Sequence, residues 1–469
     1  MKVLYATSEA SPYFKSGGLG DVSRSLPDAL MSAGLDVRIL LPLYGVIREH
    51  HSLTGPVEET RVPWLSGNIP TRYHTNRITT AAAPAVLVDQ PAFFHHGAPY
   101  TANPADPFDA GRRFAFFCRS VVHYANAWKA DVVHLNDWTT GLVPLWGHLD
   151  GLRAATVFAV HNLAYQGAFP QALLRQVGIP DAYMRTENGV EFNGLASFLK
   201  GGLALADRLV TVSPTYAREI QTPEYGAGFD GLLRFRRRVL DGILNGIDLD
   251  LWDPAHDERL AARYTASTLD GKETNRTALA NSCELDADGP IFGMVTRLVT
   301  QKGIDLVLGA IPALIGNGVR MVVLGDGERR YEEALAVAAR AYPSRIAAFL
   351  RFDDTLARRI YAGADFFLMP SRYEPCGLGQ MIAQRYGTPP VVRHTGGLVD
   401  TVTHGKTGFV FDDATSHAVA EAALGAASNW RARGWNALRS RCMRQDWSWA
   451  RSAELYQSVY QLAAGRPGG

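Results

Sequence analysis

Short apolar runs alternate along the chain with longer stretches in which apolar residues recur at helical spacing. In the first half these runs predict buried strands at Val3–Ala6, Val37–Leu41, Val86–Val88, Val132–Leu135, Val157–Val160 and Leu209–Val212. Helical patterns lie between several of the runs, as over Asp109–Lys129. Apolar strands that alternate with helices are typical of parallel sheets covered on both faces, so the pattern predicts an α/β fold.

The alternation restarts in the second half of the chain. It predicts further strands at Ile291–Val295, Met321–Leu324, Phe366–Met369 and Pro390–Val392. Residues 244–254, LNGIDLDLWDP, separate the halves, because Asn-Gly favours a turn and Asp-Pro ends regular structure. We therefore expect a doubly wound domain over residues 1–243, a linker over 244–254 and a second doubly wound domain over residues 255–445.

Composition excludes several classes of protein. The 469 residues are 47% apolar, which suffices for two or three domains of roughly 150 residues each. The net charge of +1 gives no basic face for nucleic acid or an anionic membrane. The cysteines lack metal-binding spacing, which favours a reducing compartment such as the cytoplasm. No apolar run reaches the length of about 18 residues that predicts a membrane span, and residues 1–7 fit a strand better than a signal peptide.

A glycine-rich loop, Lys15–Asp21, follows the first predicted strand and opens a helix. Gly17 and Gly18 let backbone N–H groups approach an anion, and the helix start favours a phosphate by roughly 0.3–1 kcal/mol. Lys15 adds a mobile cation, and Asp21 completes the string. The alternative is an ordinary strand-to-helix turn that carries a solvated lysine.

The second half contains an echo of this loop at His394–Asp400, with Thr395, Gly396 and Gly397 at its centre. Both copies follow an apolar strand and precede a helical pattern. We interpret the pair as two loops at the carboxyl ends of two sheets, which would suit one ligand held between the domains. The alternative is coincidence, since Gly-Gly-Leu is a common tripeptide.

Two cations follow the first strand of the second half. Arg297 and Lys302 are five residues apart, where the strand ends and a helix begins. An arginine forks onto two phosphate oxygens and a lysine acts as a point charge, as a leaving diphosphate requires when no metal compensates it. The alternative is two surface cations, although cations at a helix start oppose the helix dipole.

Polar residues also follow other predicted strands. Glu374 lies on a proline-braced loop after Phe366–Met369, where a carboxylate can bind sugar hydroxyls or simply stabilise a helix start. Asp137 and His161 each follow a first-half strand, at the edge that lines the crevice of an open α/β sheet. A lone histidine is more often structural, so His161 is a functional candidate only because it shares this edge with Asp137. The Asp-x-Asp strings at 248–250 and 286–288 fit turns better than a metal site.

Together these strings resemble bacterial glycogen synthases and plant starch synthases, which use mainly ADP-glucose. The resemblance runs nearly end to end and rests on Lys15–Asp21, Asp137-Trp138, residues 161–167 and 191–193, Ser213–Ala217, Leu244–Asp248, Arg297 with Lys302, and Glu374–Leu378. It implies a GT-B type fold, in which two facing Rossmann-like domains enclose the active site in the cleft. It also implies a C-terminal helix over residues 446–469 that crosses back to the first domain.

The resemblance further implies the reaction. Glucose passes from ADP-glucose to the non-reducing 4-hydroxyl end of an α-1,4-glucan such as glycogen, with retention of configuration, release of ADP and no metal or other cofactor. It implies catalytic roles for Asp21, His161, Arg297, Lys302 and Glu374. It implies donor binding by Lys15, Gly17, Gly18, Gly325, Phe352, Cys376, Gly377, Leu378, Thr395, Gly396 and Gly397. It implies glucose or acceptor binding by Asp137, Trp138, Asn162 and Asn245.

The chain departs from the family pattern at three positions. Thr139 stands where many members carry a histidine, Phe352 where some stack a tyrosine on adenine, and Ile382 where broader retaining transferases carry a second glutamate. Two other functions remain open: a nucleotide-sugar epimerase of the same architecture, and a non-catalytic glucan-binding protein. The residues leave the choice between adenine and uracil, the acceptor length and the oligomeric state undetermined.

Overall fold

The computed structural model describes residues 1–77, 82–95, 99–100 and 106–465. The chain forms two compact units, Met1–Gly246 with Trp449–Gly469, and Ile247–Ser448. The chain therefore passes between the units twice. The passage at Gly246–Ile247 lies within the segment 244–254. On the side of the second unit the two passages are joined, because the Ile247 N–H donates to the Trp447 carbonyl oxygen at 2.8 Å.

The first unit is an α/β unit. Its strands are β1 (Lys2–Ala6), β2 (Asp36–Pro42), β3 (Val57–Trp64), β4 (Gly67–Asn76), β5 (Ala85–Asp89), β6 (Val132–Asn136), β7 (Ala155–Val160), β8 (Ala168–Pro170), β9 (Glu191–Phe192), β10 (Leu195–Ser197), β11 (Arg208–Thr211) and β12 (Leu240–Gly242). Its helices before the second unit are α1 (Gly18–Ser32), α2 (Gly45–His50), α3 (Pro91–Phe94), α4 (Asp109–Trp128), α5 (Val143–Asp150), α6 (Ala172–Gln176), α7 (Phe198–Leu205), α8 (Pro214–Glu219) and α9 (Asp230–Phe235).

The main sheet of this unit runs β12-β11-β7-β6-β1-β2-β5-β4-β3. All neighbours from β12 to β5 are parallel, and β4 and β3 add an antiparallel edge. The order of the parallel strands reverses between β1 and β6, which makes this pair the switch point of a doubly wound sheet. The strands β8, β10 and β9 form a separate small antiparallel sheet.

The second unit repeats the plan. Its strands are β13 (Ile291–Val295), β14 (Arg320–Leu324), β15 (Ile346–Phe349), β16 (Phe366–Met369), β17 (Pro390–Arg393) and β18 (Phe409–Phe411). Its helices are α10 (Asp270–Ser282), α11 (Ile304–Gly316), α12 (Arg329–Ala341), α13 (Asp354–Gly363), α14 (Gly379–Arg385), α15 (Gly396–Thr401), α16 (Ser416–Ala427) and α17 (Trp435–Met443). The all-parallel order β15-β14-β13-β16-β17-β18 is that of dinucleotide-binding folds, with its switch point between β13 and β16.

A final helix, α18 (Trp449–Ala464), belongs to the first unit, where it packs on α1 and β7. The hydroxyl of Tyr460 lies 2.8 Å from Nδ1 of the buried His134 on β6. The segment that we expected to cross back spans 446–469, and its residues 466–469 lie outside the described residues. None of the helices in the described part of the chain combines the length and apolar character needed to cross a bilayer.

Every strand predicted from an apolar run is present, with bounds that differ by no more than a few residues. The predicted α/β fold class is confirmed. The pattern did not predict the antiparallel hairpin of β3 and β4. In the middle of β4, over residues 70–73, exposed and buried residues alternate, as expected for a strand that faces solvent on one side.

Candidate active site

The loops at the switch point of the first sheet hold most of the first-half candidate residues. Strand β1 leads into the glycine-rich loop, β6 ends at Asn136 and leads to Asp137, and β7 leads to His161. Connections from β1 and β6 leave toward opposite faces of a doubly wound sheet, which opens a crevice at the carboxyl ends of the strands. The fold therefore brings Lys15, Asp21, Asp137 and His161 to one edge of one sheet.

A buried carboxylate that the sequence did not single out organises the glycine-rich loop. Glu9 accepts hydrogen bonds from the Ser16 N–H and Ser16 Oγ, both at 2.7 Å, and from the Gly17 N–H at 3.3 Å. The Tyr100 hydroxyl donates to the same carboxylate at 2.6 Å. The N–H of Gly17 is thus engaged within the protein. An anion would meet the helix start at Gly18, for which the described residues supply no side-chain cap.

Lys15 lies on the outer side of this loop. Its Nζ is 3.0 Å from Oδ1 of Asp21, and the two side chains are 43% and 42% exposed. An ion pair this exposed contributes little to stability, so Lys15 can exchange its partner at small cost. Gly20 explains the close packing, because a Cβ there would lie 2.4 Å from the Lys15 Cβ.

Asp137 holds the chain that follows β7. It takes a positive φ of 54°, and its Oδ1 accepts the N–H of His161 at 2.8 Å. Burial raises the pKa of this carboxyl to about 7; the backbone N–H groups of His161 and Asn162 lower it, and the nearby charge of Glu9 raises it. One oxygen of Asp137 is therefore already hydrogen-bonded within the protein, and the carboxyl gains or loses its proton near neutral pH.

His161 is a neutral imidazole in this arrangement. Its Nε2 lies 2.8 Å from Oδ1 of Asn136, and burial lowers its pKa to about 4. Trp138 packs edge-on against Phe114 and rests on Gly167, where any Cβ would meet the indole. Trp138 is thus a half-buried packing residue beside the predicted sugar site.

Asn245 follows β12 in the same unit. The residue is buried, and among the described residues its Oδ1 has no hydrogen-bond partner. A buried amide oxygen without a partner costs free energy unless a donor reaches it. A sugar hydroxyl would supply such a donor.

At the switch point of the second sheet a lysine and a glutamate from different loops form an ion pair. Lys302 lies in a 3-10 turn after β13, and its Nζ is 2.5 Å from Oε2 of Glu374, in the loop after β16. The side chains are 15% and 7% exposed. The Ser371 hydroxyl donates to the same oxygen at 2.9 Å. Arg297, also after β13, is exposed.

Backbone contacts join these two loops. The Arg372 N–H donates to the Gln301 carbonyl at 2.8 Å, and the Gln301 side chain donates to the Tyr373 carbonyl at 3.2 Å. Gly303 has a φ of 67°, and a Cβ there would lie 2.3 Å from the carbonyl oxygen of Pro370. The approach of these loops places Lys302 against Glu374.

The predicted donor-binding loops meet the same edge of the second sheet. Gly397 donates its N–H to the Glu374 carbonyl at 3.0 Å, and a Cβ on Gly397 would lie 2.3 Å from the Cys376 carbonyl oxygen. A Cβ on Gly325 would lie 1.8 Å from the Thr296 carbonyl oxygen. Phe352 follows β15 and is 75% exposed. Of the remaining predicted donor residues, Gly377, Leu378 and Thr395 lie in these loops, and Gly396 begins α15.

The structure adds three residues that the motifs did not mark. Glu9 accepts hydrogen bonds from the glycine-rich loop after β1, and Ser371 donates to Glu374 in the loop after β16. Asn136 contacts the ring of His161. Each lies one to six residues from a predicted site residue, but a carboxylate, hydroxyl or amide beside a strand end is too common to stand out. Only the contact across the sheet edge distinguishes them.

Each of the two units is matched by its own protein-family model. Residues 2–235 match the model described as starch synthase catalytic domain, and residues 275–438 match glycosyl transferases group 1. The catalytic domain of starch synthase IV from Arabidopsis thaliana, solved with ADP and acarbose, superposes with a TM-score of 0.89 at 30% identity over 99% of each chain. A sucrose-phosphate synthase from Thermosynechococcus elongatus shares the fold, with a TM-score of 0.62 at 18% identity over 98% of each chain. The chain is a glycosyltransferase of the two-domain GT-B class.

Full-length relatives narrow this class. The chain is 45% identical to the glycogen synthase of Alkalilimnicola ehrlichii, with 100% of both chains covered. It is 44% identical to the glycogen synthase of Halorhodospira halophila, over 99% of this chain and 100% of that one. The chain belongs to the glycogen synthase family, which confirms the predicted resemblance.

Proposed function

We propose that the chain transfers glucose from ADP-glucose to the non-reducing 4-hydroxyl end of an α-1,4-glucan, with retention of configuration and release of ADP. The observation that carries this proposal is the Lys302–Glu374 pair, with the exposed Arg297 in the same connection after β13, at the switch point of a sheet with nucleotide-binding order. The names of the full-length relatives and the ADP and acarbose bound to starch synthase IV support the same donor and acceptor.

In this proposal Arg297 and Lys302 share the negative charge that develops on the departing diphosphate. Arg297 forks onto two phosphate oxygens, and Lys302 turns from Glu374 toward the phosphate as a point charge. No metal ion is then needed to compensate the leaving group. Lys15 and the start of α1 assist as further positive groups, and the exposed ring of Phe352 stacks on the base.

The glucose is held by groups of different charge. Glu374, which Lys302 leaves as it meets the diphosphate, stabilises the positive charge at the anomeric carbon. The neutral His161 contacts a glucose hydroxyl, and Asp21, Asp137, Trp138, Asn162 and Asn245 line the glucose and the acceptor end. The acceptor 4-hydroxyl attacks on the face from which the diphosphate leaves, which retains the configuration.

The decisive experiment compares ADP-, UDP- and GDP-glucose as donors for chain growth on a glycogen primer. We expect the highest kcat/KM with ADP-glucose and release of ADP that depends on glycogen. Chain growth with UDP-glucose alone would overturn the choice of donor. Release or isomerisation of the sugar without glycogen would favour the epimerase, and glycogen binding without nucleotide binding would favour the non-catalytic alternative.

A matched pair of arginine variants tests the leaving-group assignment in the same assay. Arg297→Ala should lower turnover by on the order of 10²–10³, the cost of one contact that stabilises charge in the transition state. Arg329→Ala removes an equally charged side chain of the second unit, which is 88% exposed and paired with Glu333 on α12. It should leave turnover unchanged. Full turnover in Arg297→Ala would show that Arg297 does not stabilise the leaving diphosphate.

A further inference from the structure

A buried amide at the end of β6 accepts two hydrogen bonds. Asn136 is fully buried, and its Nδ2 donates to the carbonyl oxygen of Ala6 at 2.9 Å, at the end of β1. Its Oδ1 lies 3.1 Å from the Tyr5 hydroxyl and 2.8 Å from Nε2 of His161. The reverse orientation of the amide would set its oxygen against the Ala6 carbonyl. The contacts therefore fix Oδ1 as the atom that faces His161.

An amide oxygen carries no hydrogen, so the hydrogen of the contact must come from Nε2 of His161. The Tyr5 hydroxyl donates to the same Oδ1 at 3.1 Å and does not exclude His161, because a carbonyl oxygen has two lone pairs and accepts both hydrogen bonds. Burial raises the pKa of Tyr5, so this phenol keeps its proton. Nε2 of His161 is then a donor, and Nδ1 is the ring nitrogen with a lone pair.

We propose that Asn136 is a positioning residue that holds His161 as the neutral imidazole with its proton on Nε2, so that Nδ1 accepts a hydrogen bond from a sugar hydroxyl. The last part rests on the proposed function, in which His161 contacts the glucose. A hydroxyl that donates to Nδ1 must sit in one orientation. Asn136 thereby contributes to the choice of sugar without touching it.

Burial, rather than the ionisable groups around it, keeps the His161 ring neutral. Asp137 accepts the His161 backbone N–H, and Glu9 lies near Asp137. His134 lies beneath on β6, stacks on Tyr5 with ring centroids 4.6 Å apart and has its pKa lowered to about 3 by burial. His134 is therefore neutral and adds no positive charge. Burial lowers the pKa of His161 to about 4.

The direct test is the ¹⁵N NMR spectrum of the full chain labelled at histidine, recorded without substrate. His161→Gln identifies the resonances of His161. We expect a protonated Nε2 and an unprotonated Nδ1 throughout the range from about pH 6 to about pH 8. A proton on Nδ1 would overturn the proposal in the wild-type protein, without any variant.

Three variants separate positioning from a merely structural role. Asn136→Ala removes the acceptor, so His161 should populate both tautomers, and kcat/KM for glucose transfer should fall about tenfold, the value of one neutral hydrogen bond. If the alanine variant does not fold, Asn136→Leu removes the acceptor while keeping a side chain of similar size. Asn136→Asp keeps an acceptor at Oδ1 in either protonation state and should restore the wild-type tautomer.

The matched control is Asn126→Ala, which removes a half-buried asparagine that bonds the Gly151 carbonyl at 3.2 Å. It should leave the His161 spectrum unchanged. A folded truncation of Asn136 with the wild-type tautomer would overturn the proposal, as would loss of the tautomer in Asn136→Asp. A shifted tautomer with undiminished transfer would overturn the role in sugar binding. The spectra need no substrate, so they test the tautomer of His161 independently of the proposed function. If the proposed function is wrong, the wild-type protein will show no glucose transfer whatever the spectra show.

Discussion

Lys302 and Glu374 are 72 residues apart in the chain, and their charged atoms lie 2.5 Å apart at the switch point of the second sheet. Neither charge is well solvated, because the side chains are 15% and 7% exposed. The pair is thus stable only while both members are present or another charge replaces one of them. In the proposed reaction a phosphate replaces the carboxylate as the partner of Lys302.

Removing one member of this pair should cost more than removing both. Lys302→Met leaves the Glu374 carboxylate without its cation, and Glu374→Gln leaves the lysine without its anion. We expect each single variant to lower the free energy of unfolding by on the order of 3 kcal/mol, and the double variant to recover part of that loss. Denaturant unfolding of the four proteins measures this, and strictly additive effects would show that the two charges do not interact.

Asp137 should make stability depend on pH. Its pKa is about 7 in the folded chain against an ordinary 3.8, so between these values the folded chain binds more protons than the unfolded chain. The contribution of this carboxyl to stability is therefore full below pH 4 and is lost as the pH rises through 7. Asp137→Asn keeps an acceptor for the His161 N–H and removes the titration.

The measurement is the difference in free energy of unfolding between Asp137→Asn and wild type at about pH 5 and about pH 8. We expect the variant to gain on the order of 2–4 kcal/mol relative to wild type at the higher pH. Because the other ionisable groups are the same in both proteins, their contributions largely cancel. A difference that stays constant between the two pH values would contradict the shifted pKa.

Gly397 should tolerate no side chain. A Cβ at this position would lie 2.3 Å from the carbonyl oxygen and 2.5 Å from the Cα of Cys376, which are backbone atoms of the Glu374 loop. We expect Gly397→Ala to push this loop away, weakening donor binding and lowering the melting temperature. Isothermal titration with ADP and a thermal melt measure the two effects.

Gly425 provides the matched control, because it lies exposed in α16 and a Cβ there would meet nothing within 4 Å. Gly425→Ala should stabilise the chain by roughly 0.5–1 kcal/mol, since alanine restricts the unfolded chain, and should leave ADP binding unaltered. Equal behaviour of the two alanine variants would show that the Gly397 contact does not constrain the loop.

The strands were predictable because each is a local property of the chain. Ile291–Val295 is buried on both faces and reads as an uninterrupted apolar run, and the structure has a strand with the same bounds. The loops that carry Lys15, Arg297 and Glu374 were predictable for the same reason, since each directly follows such a run. Parallel strands then bring their carboxyl ends to one edge without further information.

The hydrogen bonds between different loops at the carboxyl edge of a sheet were not predictable. The sequence gives no sign that Glu9 turns back onto the N–H groups of Ser16 and Gly17, or that Asn136 meets His161. These contacts depend on the register of neighbouring strands and on side-chain rotamers within a packed unit. The hairpin of β3 and β4 was missed for another reason, because its exposed face breaks the apolar run that marked the other strands.

Helix α18 completes the first unit although it follows the second unit in the chain. At about 5–20 residues per second, a ribosome needs roughly ten to forty-five seconds to make the stretch from Ile247 through α18. During that interval β6 and β7 lack the helix that packs on them, and His134 lacks its contact with Tyr460. The second unit emerges and can fold in that time, so the later half of the enzyme can be finished before the earlier half.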